Sequence, residues 1–374
     1  MKKRLLWIDM LKITSMLMIL ILHIFLNGGI LYRLEIGSAE YAAGWFIESV
    51  CYCAVNCYAI ITGYLMYRPE KEKFNYSRII PLWLQVFFYS AAITVVFLLT
   101  DPECFAESDY SAASGFMPVL SNTYWYFTSY FGMFFFIPFM NVMIRNIDKK
   151  EFTVLVGTAF AVLSFIPFTF TYRKDPFGTQ FGYSTVWLAV LYLAGAYIKR
   201  FGDDFTLKKR TWAAVLVFSS LIPCVSSLAL DYTSAKDFEN VYSTDLGGLT
   251  YNYTSPFTVI SAVSLFMLFK DAEIRSRLAE KLINFFAPAS FSVYLIHTHP
   301  LVFEFIFKDK FVFLAGYNAA VMLLGGIFCA VFLYAVLSAA DHIRMALFKA
   351  LKVSRNSERL VNSLTDRLKS MKVR

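Results

Sequence analysis

The chain has 374 residues, of which 58% are hydrophobic and 17% charged, and its mean hydropathy is +0.54. Soluble domains are about 45–50% apolar and about 25% charged, so this chain has too little polar surface for a water-soluble fold. Its 39 Phe and 23 Tyr suit a bilayer and its interfaces. A disulfide scaffold, a disordered chain and a nucleic-acid binder are set aside, and an all-α polytopic membrane protein is expected.

A hydrocarbon core about 30 Å thick takes roughly 20 mostly apolar residues per helix. Such runs lie at 5–31, 44–66, 79–99, 124–144, 152–172, 183–198, 211–230, 253–269, 285–306 and 312–337, which predicts about ten transmembrane helices. Met1-Lys2-Lys3-Arg4 before the first run has the outline of a signal peptide. That run, however, is long, carries Asp9, Lys12 and His23, and lacks a small-x-small cleavage site, so it is expected to stay as the first helix.

With the amino terminus cytoplasmic, the inner segments 1–4, 67–78, 145–151, 199–210, 270–284 and 338–374 hold 28 Lys and Arg. The outer segments hold 6, and Lys12 completes the 35. The asymmetry predicts both termini in the cytoplasm. It also makes the formal charge of +8 a matter of topology, with no nucleic acid as partner. Two units are expected: a transmembrane domain at 1–340 and a basic tail at 341–374. The tail spaces Ile343, Leu347, Leu351, Leu360, Leu364 and Leu368 among its bases, the pattern of an amphipathic helix on an anionic membrane surface. Five of the six cysteines fall in apolar runs and no CxxC pair occurs, so buried thiols are expected.

Ionisable residues inside membrane helices are functional candidates. On the first helix, Asp9, Lys12, His23 and Asn27 fall on one stripe, with Lys12 and His23 roughly 16 Å apart along the axis. The ninth run carries Tyr294, His297, His299, Pro300 and Glu304. Tyr294 lies one turn before His297 and Glu304 shares its stripe, while His299 points nearly opposite. Pro300 cannot donate to the Ile296 carbonyl, so a kink is expected there. Imidazoles brought into the membrane by two helices suit general-base activation of a hydroxyl. No HxxH or HxxxH spacing occurs, and no metal is expected. Arg68, Lys71, Lys73 and Arg78 cluster before the third run, a place for a polyanion such as the phosphates of coenzyme A.

Several segments, in order, resemble the type-3 membrane acyltransferase family, which modifies bacterial surface glycans. Trp7-Ile-Asp-Met-Leu-Lys12 followed by His23 is similar to its first-helix Arg-x10-His signature. Asn56-Cys-Tyr-Ala-Ile-Ile-Thr62-Gly63-Tyr64 resembles its Asn-x-Phe-Phe-x-x-Ser-Gly-Tyr segment, and Arg78-Ile-Ile-Pro81-Leu-Trp83 its basic-Ile-x-Pro start. Tyr124-Trp125-Tyr-Phe-Thr-Ser-Tyr130 through Pro138 is similar to its Trp-Phe-x-x-Tyr…Pro helix, and Ser292-Val-Tyr294-Leu-Ile-His297 to its helix-9 block. Lys12 stands for the usual Arg, Thr62 for Ser, and Asn75 for the first Arg of an Arg-x-x-Arg.

The resemblance implies an O-acyltransferase of the bacterial plasma membrane that moves an acyl group, most often acetyl, from cytoplasmic acyl-CoA to a glycan hydroxyl. Acetyl-CoA would be a donor substrate, with no permanently bound cofactor. Its phosphates would meet Lys12, Lys73 and Arg78. His23 would act as base or transient acyl carrier, with His297 and Asp9 in support, and Asn27, Trp125, Tyr130 and Tyr294 would hold the acceptor, a surface glycan or lipid-linked saccharide. Membrane lipids and a homodimer are the other partners considered. Relatives often carry a fused extracellular esterase-like domain; with none in this sequence, a stand-alone enzyme is expected. Two alternatives stay open on the residues alone. A transporter or flippase for a glycan intermediate would consume no acyl-CoA, and a non-catalytic relative would be indifferent to loss of His23.

Overall fold

The structure is a computed structural model that describes residues 4–70, 74–170, 174–237 and 251–371, and among these every regular element is helical. The first run forms α1 (Leu6–Phe25), which stops short of the expected 31. The cause is local: Gly28 N–H bonds back to the His23 carbonyl at 2.7 Å, and Gly29 takes φ 91°, a left-handed turn that no helix contains. The second run begins earlier than expected, at α2 (Ala39–Cys51), because the Ser38 hydroxyl caps it by accepting from Tyr41 N–H at 3.0 Å. After a break at Tyr52 and Cys53 it continues as α3 (Ala54–Met66).

The third run is α4 (Ile79–Thr100), followed by the short α5 (Cys104–Glu107) and α6 (Ala112–Phe116). The fourth splits into α7 (Trp125–Phe134) and α8 (Ile137–Asn146), bent by 55°. Next, α9 (Lys149–Phe160) starts from a reciprocal Asp148–Glu151 cap and passes through a π turn into α10 (Ile166–Phe170). Then come α11 (Thr185–Phe201), α12 (Lys209–Asp237), α13 (Pro256–Phe269), α14 (Arg277–Phe286) and α15 (Ser290–His297). The helix breaks at Thr298 and His299, as Pro300 requires, and a π turn spans Val302–Phe307. Last are α16 (Ala319–Ala350) and α17 (Val353–Met371).

Among the described residues, six helices or continuous helix pairs are long and apolar enough to cross a membrane, and the bent α7–α8 pair makes a seventh. The runs at 183–198, 253–269 and 285–306 form the shorter α11, α13 and α14–α15. Leu99, Phe139, Phe170, Phe218 and Phe328 are all exposed on the outer helices. A soluble monomer rarely shows so many large apolar groups to water; facing lipid they cost nothing. The chain is a multi-pass membrane protein.

The core is built around α1, which packs against α2, α3, α13, α14, α15 and α16 and is largely buried. Beside it α3 and α11 cross at glycines on both sides. A Cβ on Gly63 would stand 2.1 Å from the Tyr192 carbonyl oxygen, and one on Gly195 would stand 2.1 Å from that of Ile60, so the two backbones touch directly.

At the other end of the chain α16 runs past residue 341, where the tail was expected to begin. Asp341 is fully buried, and the Arg344 fork donates to both its oxygens at 2.8 Å. The hydroxyls of Tyr89 and Ser292 each add a bond of 2.6 Å to Oδ1. A buried charge that is paired and fully hydrogen-bonded can remain in a helix core. Lys352 then turns the chain with φ 52°, and α17 packs back on Tyr76–Arg78 and α4. All six cysteines are free thiols, five of them buried.

Candidate active site

His23, in the last turn of α1, and His297, the last residue of α15, meet across the core with His23 Nδ1 3.0 Å from His297 Nε2. The second nitrogen of His297, Nδ1, lies 2.5 Å from the Val293 carbonyl oxygen. A carbonyl only accepts, so His297 Nδ1 carries the proton. In neutral His297 the Nε2 is then an acceptor, and His23 Nδ1–H donates to it. This accounting leaves His23 Nε2 as the unprotonated nitrogen, with no hydrogen-bond partner among the described residues. Phe303 and Phe307, stacked with ring centres 5.8 Å apart, stand edge-on to His23 at 5.6 and 6.5 Å and close one wall. They lie on the π turn, a local underwinding frequent at functional sites.

Two cavities meet at His23. One, toward the Lys12 end of α1, is small (about 60 Å³) and mostly apolar, lined by Met16, Ile19, Leu22, Tyr58, Tyr126 and Tyr253 among others. The second, of about 700 Å³, opens at the opposite end and is the more polar, with Glu107, Asp109, Thr298, Glu304 and Lys308 in its wall. His23, Trp125 and Tyr294 border both. Trp125 packs on Tyr183 at 4.4 Å and stacks on Tyr253 at 5.7 Å. Lys308 pairs with Glu304 at 2.6 Å on the rim.

Of the residues singled out from the sequence, the fold therefore brings His23, His297, Trp125 and Tyr294 together. Asp9 and Lys12 form an ion pair of 3.2 Å at the other end of α1, about 21 and 16 Å from His23 along the axis. Arg4 also donates to Asp9, and to Asn284 at 2.7 Å. Arg78 is exposed, 3.9 Å from the Met66 sulfur, and pairs with no acid among the described residues. Lys71 and Lys73 lie outside the described residues.

Two placements need correction. Asn27 does not continue the His23 stripe, because α1 ends at Phe25; its carbonyl instead accepts from Asp309 N–H at 3.1 Å, docking the loop before α16. Tyr130 packs against Phe127 and Phe134 and lines neither cavity. Glu304 reaches the wide cavity but is separated from the His297 stripe by the break at Thr298. His299, fully buried, contacts the Tyr110 hydroxyl at 3.4 Å and Thr94 at 3.5 Å.

Sequence reasoning missed Tyr58, Tyr253 and Val293. Tyr58 ties the small cavity to the Lys12 turn, its hydroxyl donating to the Lys12 carbonyl at 2.7 Å. Tyr253 is held by Asn56, whose amide donates to its carbonyl at 2.8 Å and accepts from the Trp187 indole at 3.3 Å. The signal for Tyr253 was thus present in the Asn56 motif, while Val293 acts through its backbone and leaves no trace in side-chain pattern.

Residues 5–340 match the model of the type-3 acyltransferase domain, while no curated protein and no solved structure matches the chain. The match takes in α1 and most of α16, with both histidines and both cavities between them. The chain belongs to the type-3 acyltransferase family and is a membrane acyltransferase.

Proposed function

We propose that the chain transfers an acyl group, acetyl first among them, from cytoplasmic acyl-CoA to a hydroxyl of a surface or lipid-linked glycan. The setting is a bacterial plasma membrane, with about ten spans and both termini cytoplasmic. The observation that carries this is the position of His23 where a narrow apolar cavity meets a wide one with charged groups in its wall. An acyl thioester suits the first and a saccharide the second, and a base with an open nitrogen lies at their junction.

In the proposed reaction His23 Nε2 takes the proton of the acceptor hydroxyl as that oxygen attacks the thioester carbonyl. A C–O bond forms, the C–S bond breaks, and the proton passes from His23 to the sulfur, releasing free CoA. While His23 carries the proton, its Nδ1–H donates to His297 Nε2, and the Val293 carbonyl holds His297 in that tautomer. His297 is therefore a positioning residue. Tyr294 and Trp125, which border both cavities, hold the acceptor over Nε2. Lys12 and Arg78 meet the CoA phosphates, and Asp9 orients Lys12. The small volume beside His23 favours acetyl over longer acyl groups.

The test compares proton NMR of surface glycan from source cells lacking this chain with that from cells restored with wild type or with His23→Ala. Base-labile O-acetyl signals are expected only with wild type, at equal membrane abundance. Full acetylation with His23→Ala removes His23 from the chemistry, and loss of the polymer itself in the deletion strain assigns the chain to export.

A further inference from the structure

Away from the histidines, a third cavity, of about 470 Å³, lies where α16 turns into α17, against the first turns of α4. Four cations line it, Arg344, Lys349, Lys352 and Arg355, together with Gln85, and no acid does. Lys349, Lys352 and Arg355 are exposed and make no ion pair among the described residues. Arg344 is 9% exposed and locked onto Asp341 through Nε and Nη2, while its Nη1 has no hydrogen-bond partner among the described residues. A buried guanidinium held in place at the wall of a cavity is a preorganised anion ligand.

The setting identifies the anion. The cavity lies at the end of a membrane helix, on the face that carries Arg78, since α17 packs on Tyr76–Arg78. The same wall also carries Leu82 of α4, Met345 and Phe348 of α16 and Val353 of α17, an apolar surface beside the cations. An anionic head beside an apolar flank is the chemistry of a phospholipid, and basic pockets between membrane helices recognise such headgroups. A soluble phosphate would use the cations and leave this apolar wall unused.

We infer that this cavity binds the phosphate of an anionic phospholipid, with its acyl chains leaving along Leu82, Met345, Phe348 and Val353. The site also touches the histidine helix. Arg344 holds Asp341, Asp341 accepts from Ser292 at 2.6 Å, and Ser292 lies five residues before His297 on α15. The bound headgroup therefore braces the end of α16 that anchors the His297 helix.

The test uses purified full-length protein in neutral detergent, titrated with dioleoyl phosphatidylglycerol, dioleoyl phosphatidylcholine or inorganic phosphate. Bound lipid is counted by intact-complex mass spectrometry, and phosphate binding by calorimetry. Lys349→Gln with Lys352→Gln is expected to weaken phosphatidylglycerol binding by about thirtyfold, at roughly fivefold per basic residue. Lys150→Gln with Arg277→Gln, which removes two exposed bases elsewhere, should leave it unchanged. Equal loss in both double variants would reduce the effect to diffuse surface charge and overturn the site. Equal affinity for phosphatidylcholine overturns it too, and inorganic phosphate binding as tightly as phosphatidylglycerol overturns the lipid assignment.

Discussion

Replacing His297 with leucine is expected to slow turnover by about 10- to 100-fold while leaving the KM for acyl-CoA near its original value. The magnitude follows from one bond. His297 Nε2 is 3.0 Å from His23 Nδ1, and when His23 takes up a proton that contact becomes a hydrogen bond from a cation. Such bonds are worth about 1.5–3 kcal/mol, and each 1.36 kcal/mol in the barrier is about tenfold in rate. The bond strengthens only as charge develops on His23, so its loss falls on kcat. Only 2% exposed and absent from both cavity walls, His297 has no direct hold on either substrate. His297→Gln keeps an acceptor oxygen for His23 and should recover part of the rate. The assay is thiol release from acetyl-CoA by proteoliposomes supplied with the isolated acceptor glycan, normalised to monodisperse protein on gel filtration. Wild-type kcat in His297→Leu refutes the positioning role, and equal losses for Leu and Gln assign the effect to packing.

Four further changes test other parts of the molecule. Trp125→Ala removes an aromatic wall shared by both cavities, and at ring-contact strength of about 0.5–1.5 kcal/mol it should raise the acceptor KM about two- to tenfold. An unchanged acceptor KM would remove Trp125 from the glycan site. Gly195→Ala drives a methyl into the Ile60 carbonyl and should lower the apparent Tm in detergent, since overpacking costs about 1–3 kcal/mol. Gly157→Ala, on α9 with nothing within 4 Å of its Cβ, should hold or raise it; equal Tm values for the two variants would show that the α3–α11 contact has slack. Asp341→Ala strands Arg344 and two hydroxyls in the core, a loss of about 3–5 kcal/mol for a broken buried pair, and should sharply reduce the folded yield on gel filtration. Full yield would mean that the cavity beside Arg344 hydrates the stranded groups well enough to replace Asp341.

Hydropathy made most of the fold legible because lipid exposure leaves long uninterrupted apolar runs, and each of the ten runs contains a helix. What it could not supply were ends and breaks, which depend on single local bonds. Ser38 starts α2 ahead of its apolar stretch, and Gly28 and Gly29 stop α1 while the sequence stays apolar. The same turn moves Asn27 off the His23 stripe, although helical spacing had aligned them. Asp341 read as the start of a polar tail because its neutralising partners are one turn away on its own helix and on α4 and α15. Spacing along one helix gives a face, and the partner of that face is a tertiary fact.

The pairing of His23 with His297 shows why such a site can be buried in a membrane at all. A base in water is often oriented by a carboxylate, as in hydrolase triads. Buried here, an ionised carboxylate would have to be paired to avoid a desolvation cost of several kcal/mol. The Asp341 site meets that cost with one guanidinium and two hydroxyls. The His23 site avoids it, because a backbone carbonyl orients a neutral imidazole, which in turn orients a second neutral imidazole. No net charge is buried until the acceptor proton arrives, and the charge that then forms on His23 sits beside an acceptor already in place. His297→Asp is therefore not a conservative exchange. Its shorter side chain loses the contact with the Val293 carbonyl, and its charge must either draw a proton or be desolvated, so it should retain less activity than His297→Gln. More activity in the Asp variant than in the Gln variant would mean that the site is wet, and that the relay works through charge.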